Sequence, residues 1–133
     1  MTEPICQSVA LPAPAEQLFE MYLDLEIHAA ITGAEVRISA EPGSEFQAFG
    51  GVLSGRMLYS VRPRLIVQSW RSSQFKAEDP DSTLVLSFAP DGDLGRIALV
   101  HIGVPEQDYQ GVTSGWEKYY WKPWRRYLQE SQR

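Results

Sequence analysis

The sequence predicts an α+β fold in which a curved antiparallel sheet of six or seven strands wraps around a long C-terminal helix. Three observations support this prediction. The hydrophobic period changes from helical to strand-like after Gly33. Turn signals then recur at short intervals between residues 42 and 92, a pattern typical of an antiparallel meander. Finally, residues 115–128 carry three of the four tryptophans and three of the six tyrosines. This apolar surface must pack against something large, because leaving it in water is costly.

The N-terminal part predicts one strand followed by two short helices. Residues 5–11 form the strand, which Pro12 and Pro14 end. The first helix covers residues 14–24, where apolar side chains recur at helical spacing. Those side chains are Leu18, Phe19, Tyr22 and Leu23. A second helix follows and ends at Gly33, a residue well suited to a helix C-terminus.

Six further strands are predicted after the helices. They lie near residues 34–39, 45–49, 51–61, 65–71, 82–89 and 95–103. Alternation assigns Met57 and Tyr59 to one face of their strand, and Leu84, Leu86 and Phe88 to one face of theirs. Because adjacent strand residues face opposite sides, we expect Trp70 to point inward and Arg71 to point outward or to pair with a carboxylate.

A helical period returns after Pro105 and predicts the long terminal helix. Its apolar stripe comprises Val112, Trp116, Tyr119, Tyr120, Pro123 and Tyr127, widened by Trp121, Trp124 and Leu128. Pro123 cannot donate a backbone hydrogen bond, so it should kink the helix near its middle. The remaining face is basic, with Lys118, Lys122, Arg125 and Arg126.

Composition limits the class of protein. The 133 residues suit one domain over 1–133, and the net charge of −5 argues against a nucleic-acid partner. No apolar run reaches the ~20 residues of a membrane span. The single Cys6 and a start unlike a signal peptide predict a cytoplasmic monomer or homodimer. Two distant histidines and one cysteine predict neither a metal site nor a cofactor.

Several short motifs occur in a familiar order. They are Thr32-Gly33, Phe49-Gly50-Gly51-Val52-Leu53-Ser54-Gly55, Ile66-Val67-Gln68-Ser69-Trp70-Arg71, Gly103-Val104-Pro105, Gly115-Trp116 and Tyr119-Tyr120-Trp121. In this order the chain resembles the heat-shock-protein-90 ATPase activator homologue family, within the START-like, birch-pollen-allergen-like superfamily. The resemblance implies a helix-grip fold, in which the sheet cups the last helix and leaves a cavity between them. It does not decide function, because the superfamily includes co-chaperone domains, lipid and hormone carriers and polyketide cyclases.

The first functional hypothesis is a non-catalytic domain that binds a hydrophobic or aromatic small molecule in this cavity. No catalytic residue is assigned. Face assignment and the resemblance give nine candidate cavity residues: Met57, Tyr59, Trp70, Leu84, Leu86, Leu99, His101, Trp116 and Tyr120.

Two alternatives stay open. One is a chaperone-associated interaction module or stress-response protein that uses the basic face of the last helix at Lys118, Lys122, Arg125 and Arg126. The other is a cyclase-like or hydrolytic enzyme, which would require His101 to reach an open cavity beside a tyrosine hydroxyl. For His101 itself, a core histidine paired with a neighbour is the simpler interpretation. His28 is expected to be solvated near a helix end.

Overall fold

Seven antiparallel strands form one open sheet in the computed structural model, which describes residues 2–131. The strands are β1 (Ile5–Leu11), β2 (Val36–Arg37), β3 (Glu45–Ala48), β4 (Leu53–Val61), β5 (Leu65–Ser72), β6 (Ser82–Asp91) and β7 (Leu94–Ile102). Their order across the sheet is β1-β7-β6-β5-β4-β3-β2, so the N-terminal strand pairs with the last one. The predicted α+β class and strand content are confirmed.

Two short helices connect β1 to β2, as the sequence predicts. They are α1 (Ala15–Leu23) and α2 (Leu25–Thr32). Asp24 separates them, and its carboxylate accepts hydrogen bonds from the first backbone N–H groups of α2. Gly33 ends α2 in the left-handed conformation with φ 79°, which a residue without a Cβ adopts at little cost.

The C-terminal helix has three parts: α3 (Glu106–Trp116), a π-helical turn (Glu117–Trp121) and α4 (Lys122–Ser131). The wide turn lies just before Pro123, whose ring would crowd the carbonyl four residues earlier in a regular α-helix. The regular helix is therefore interrupted beside Pro123, by a π turn. No helix within residues 2–131 combines the length and apolar character needed to cross a bilayer.

The π turn also changes which rings of this helix are buried. The buried residues are Trp116, Tyr120, Trp121, Trp124 and Leu128. Four of them follow a spacing of four, wider than the 3.6-residue period used in the prediction. Tyr119, predicted on the buried stripe, is 46% exposed. Trp121, Trp124 and Leu128, predicted to widen the stripe, are buried, whereas Pro123 and Tyr127 are only partly buried.

The core lies between the concave face of the sheet and the helices. The inward assignment of Leu84, Leu86 and Phe88 is confirmed, since all three are buried. Trp70 also points inward, while Arg71 points outward and forms an ion pair with Asp81 at 3.1 Å. Alternation along β6 therefore predicts the core correctly, and the favoured inward position of Trp70 on β5 is confirmed.

Alternation fails on β4, where a β-bulge lies between Met57 and Tyr59. Met57 pairs with Gln68 and Tyr59 with Val67, so β4 contains one extra residue at this point. The extra residue reverses the faces: Met57 is buried, whereas Tyr59 is 55% exposed. The prediction that Tyr59 lies on the inner face is wrong for this reason.

Gln7 on the edge strand β1 binds the terminal helix through both ends of its amide. Its Nε2 donates to the carbonyl oxygen of Thr113 at 2.9 Å, and its Oε1 accepts from Trp121 Nε1 at 2.8 Å. This pair of hydrogen bonds holds α3 and the π turn against the sheet.

Candidate functional site

A pocket of about 490 Å³ lies between α3, the π turn and the end of the sheet that carries β4 and β5. Five aromatic side chains line it: Phe49, Trp70, Trp116, Tyr119 and Tyr120. Val52, Leu53 and Val112 add aliphatic surface. Polar lining residues are Ser72, Gln74, Gln107 and Asp108. The combination of a mostly apolar wall with a few polar groups is typical of small-molecule sites.

The aromatic rings contact one another in a continuous series. Trp116 lies 6.2 Å from Trp70 and 5.0 Å from Tyr120 between ring centroids. Phe49 lies 5.6 Å from Tyr119 and 6.3 Å from Tyr120, both edge-on. Each side chain is therefore supported by its neighbours, and the wall has a defined shape.

Phe49 reaches this wall through an unusual backbone conformation. Its φ is 54°, in the left-handed region that bulky residues rarely adopt. Gly50 and Gly51 follow with φ 65° and 95°, and glycine tolerates such values. The strained turn after β3 directs the phenyl ring of Phe49 toward Tyr119 and Tyr120.

His101 lies behind the aromatic wall, fully buried and bonded at both ring nitrogens. Trp116 Nε1 donates to His101 Nδ1 at 3.2 Å. Because an indole can only donate, the imidazole proton must be on Nε2, which donates to Ser82 Oγ at 2.8 Å. The Ser82 hydroxyl in turn donates to the carbonyl of Trp70 at 2.7 Å. Burial lowers the pKa of His101 to about 3, so the ring is neutral.

This arrangement removes the basis for the enzymatic alternative. His101 is absent from the pocket lining, and its hydrogen-bond partners are a serine and a tryptophan rather than a tyrosine. The role that the geometry supports is positional, since His101 fixes the indole of Trp116 in the wall.

His28 is also buried, contrary to the prediction that it is solvated. Its Nδ1 lies 2.7 Å from the carbonyl oxygen of Tyr22, an acceptor, so Nδ1 carries the proton. Nε2 then accepts from the Tyr120 hydroxyl at 3.0 Å. Burial lowers the pKa of His28 to about 4, partly opposed by the bond to the Tyr22 carbonyl. Burial raises the pKa of Tyr120 well above its usual value. The hydroxyl of Tyr120 thus binds the protein's own histidine.

The structure brings three of the nine predicted cavity residues to the pocket: Trp70, Trp116 and Tyr120. Five others are buried in the core outside its lining, namely Met57, Leu84, Leu86, Leu99 and His101. Tyr59 lies on the outer face. Sequence reasoning predicted Trp116 of α3 but missed the rest of that helix, although Gly111 and Gly115 were a usable signal. Two glycines four residues apart leave one helix face without side chains, and both line the pocket.

None of the four predicted basic residues is among the described lining residues, but Lys118 lies beside the pocket, with its Nζ 5.1 Å from the centroid of the Tyr119 ring. Lys118, Lys122 and Arg126 are exposed, whereas Arg125 is partly buried and donates to the carbonyl of Ala10 at 3.4 Å. Within residues 2–131, no lysine or arginine lines the pocket. Over the described part of the chain, no group of three His, Cys, Asp or Glu side chains could hold a metal ion.

A sheet that grips a C-terminal helix, with a pocket between them, defines a helix-grip protein of the START-like class. Solved structures share this fold. An HSP90 activator from Plasmodium falciparum superposes with a TM-score of 0.80 at 19% identity, covering 90% of this chain and 91% of that one. CalU16 from Micromonospora echinospora gives a TM-score of 0.73 at 25% identity, covering 87% and 70%.

The chain belongs to the family described as Activator of Hsp90 ATPase homolog 1-like protein, whose model matches residues 12–129. It is similar to the human Activator of 90 kDa heat shock protein ATPase homolog 1, with 25% identity over 107 residues. That match covers 80% of this chain and 31% of the human protein. The chain thus spans about a third of the length of the curated relatives it matches.

Proposed function

We propose that the protein binds an apolar or aromatic small molecule, without catalysis, in the pocket between α3 and the sheet. The observation that carries this proposal is a pocket of about 490 Å³ walled by five aromatic rings. Its volume lies within the range of roughly 300–1,000 Å³ typical of small-molecule sites.

The wall is organised before any ligand arrives. The ring of Trp116 is held by its bond to His101, and the ring of Tyr120 by its bond to His28. A ligand therefore loses little binding free energy to the ordering of side chains, which favours useful affinity from apolar contact alone.

Filling the pocket from α3 should abolish binding. A Cβ added at Gly111 meets no atom within 4 Å, and Gly111 lines the pocket, so Gly111→Trp places an indole in the space of the ligand. We expect affinity to fall at least about tenfold while the fold is retained. The measurement is native mass spectrometry of freshly purified protein, followed by calorimetric titration with a panel of hydrophobic and aromatic compounds.

Gly111→Ala is the matched control, because it adds a single methyl group to the same helix face. It should keep most of the affinity and stabilise the protein by about 0.5–1 kcal/mol, since alanine favours a helix interior. The proposal fails if the natural protein binds no compound of the panel. It fails equally if Gly111→Trp binds as well as the unaltered chain.

A second candidate function is assistance to a chaperone ATPase, and the family membership favours it. The curated relatives are named as activators of the 90 kDa heat-shock-protein ATPase. In a chain of net charge −5, Lys118, Lys122 and Arg126 give the terminal helix a locally basic surface suited to an acidic partner.

Reversing these three charges to glutamate should weaken binding to the cognate Hsp90-type chaperone and reduce any stimulation of its ATPase. The loss should be several-fold and largest at low salt, because exposed charges are screened. Arg37→Glu, an exposed reversal on the edge strand β2, serves as the control. This candidate function is ruled out if the unaltered chain neither binds the chaperone in a pull-down nor changes its ATPase rate.

A further inference from the structure

Two of the residues that line the pocket each have a buried polar side-chain atom without a hydrogen-bond partner within residues 2–131. These atoms are the indole Nε1 of Trp70 and the carboxyl Oδ2 of Asp108. Trp70 is only 5% exposed, so its indole N–H does not readily donate a hydrogen bond to bulk water. A buried donor and a buried acceptor without partners are costly, which suggests that a ligand supplies the missing groups.

Asp108 gives the pocket a definite electrostatic character. Among the described lining residues it is the one Asp or Glu, and none of them is a lysine, arginine or histidine. It lies in the first turn of α3, where the helix dipole stabilises a negative charge. The carboxylate of Asp79, by contrast, already accepts from the side chain of Gln107 and from the backbone N–H of Lys76.

The aromatic wall adds to this preference. The faces of tryptophan, tyrosine and phenylalanine rings attract cations, and five such rings line the same pocket as Asp108. One of them, Tyr119, already has Lys118 Nζ at 5.1 Å from its centroid, which leaves four for a ligand. A negatively charged ligand would meet a carboxylate and, among the lining residues that the structure describes, no cationic side chain. A positively charged ligand would meet a carboxylate and several ring faces.

We propose that the ligand is an arylalkylamine, whose ammonium group donates to Asp108 while its ring system packs against Trp116 and Tyr120. A second polar atom on the ring accepts from the Trp70 N–H. This proposal rests on the proposed small-molecule binding function and narrows its chemical class.

Three probes of one shape and different charge test the proposal: 2-(1-naphthyl)ethylamine, 2-(1-naphthyl)ethanol and 1-naphthylacetate, each titrated calorimetrically. The unaltered protein should bind the amine about tenfold more tightly than the alcohol, and the acid most weakly. Asp108→Asn should abolish the preference for the amine. Glu106→Gln should keep it, because Glu106 lies in the same helical turn, is exposed and does not line the pocket.

The outcomes separate this inference from the function on which it rests. If the alcohol binds and the amine gains nothing, or if Asp108→Asn keeps the preference, the inference is overturned while apolar binding stands. If neither these probes nor the hydrophobic panel binds, the proposed function fails and the inference fails with it.

The role of Trp70 has a spectroscopic test. Naphthylethylamines with a methoxy group at successive ring positions should include one that moves the Trp70 indole N–H resonance downfield. That resonance is assigned by its loss in Trp70→Phe. If no isomer of the series moves it, the assignment of Trp70 as a ligand donor is overturned.

Discussion

Lowering the pH from 7 to 4 should destabilise the folded protein by about 3 kcal/mol for each of its two buried histidines. His101 has its pKa lowered to about 3 and His28 to about 4, in both cases chiefly by burial. In the unfolded chain each ring recovers an ordinary pKa near 6.5 and takes up a proton below it. The stabilisation is therefore complete above about pH 6.5 and is lost progressively as the pH falls toward 4.

Both rings are bonded in ways that protonation would break. Nδ1 of His101 accepts from Trp116, and Nε2 of His28 accepts from Tyr120, so a proton on either nitrogen removes an acceptor. Urea unfolding followed by tryptophan fluorescence between pH 4 and 8 measures the effect.

Single glutamine substitutions provide the control for this prediction. His28→Gln and His101→Gln should each be less stable than the natural chain at pH 7. Between pH 5 and 6.5, the slope of unfolding free energy against pH should correspond to the uptake of about one proton fewer on unfolding in each variant. The chain has two histidines, so the double variant removes both contributions. If the variants keep the full slope, carboxylates rather than buried histidines cause the acid sensitivity.

Replacing Gly55 with alanine should cost about 3 kcal/mol or more, a large effect for one methyl group. Gly55 lies on β4, where an added Cβ would overlap the backbone carbonyl oxygen and carbon of Ser69 on β5. The overlap involves backbone rather than a flexible side chain. The strands are also tied together here, because the Ser69 hydroxyl accepts from the Arg56 N–H at 2.9 Å. The steric overlap can therefore be relieved only if β4 and β5 move apart.

Denaturant unfolding of Gly55→Ala measures this cost, with Gly111→Ala as the comparison. Both variants make the same chemical change, but the methyl group at Gly111 meets open space. We expect opposite signs for the two changes in unfolding free energy. Equal stability of Gly55→Ala and the natural chain would show that β4 and β5 can shift at little cost.

Much of the fold could be predicted because each element has a local signal. Helical spacing around Leu18 and Trp116, the cap at Gly33 and alternation along β6 all depend on near neighbours in sequence. Tyr59 was misplaced because a β-bulge depends on pairing with another strand, and a one-residue slip reverses every later face. His28 was misplaced because its burial depends on Tyr120, 92 residues away.

The candidate site was less predictable than the fold. Large rings such as Trp70 and Trp116 are expected near any cavity beside this helix, and the pocket uses both. Phe49 required knowledge of its left-handed backbone, and Asp108 required the position of α3 over the sheet. Both depend on three-dimensional packing, which periodicity does not describe.

The link between Gln7 and the terminal helix has a consequence for the order in which the protein is made. Gln7 bonds to Thr113 and Trp121, the latter 114 residues further along the chain. Its strand pairs with β7, where Ile5 lies opposite His101. On the ribosome, β1 therefore emerges long before any of these partners. Until they are synthesised, its backbone groups remain unpaired and its apolar side chains remain exposed. Closing so long a loop is slow, so the nascent chain is most vulnerable to aggregation until its last helix has emerged.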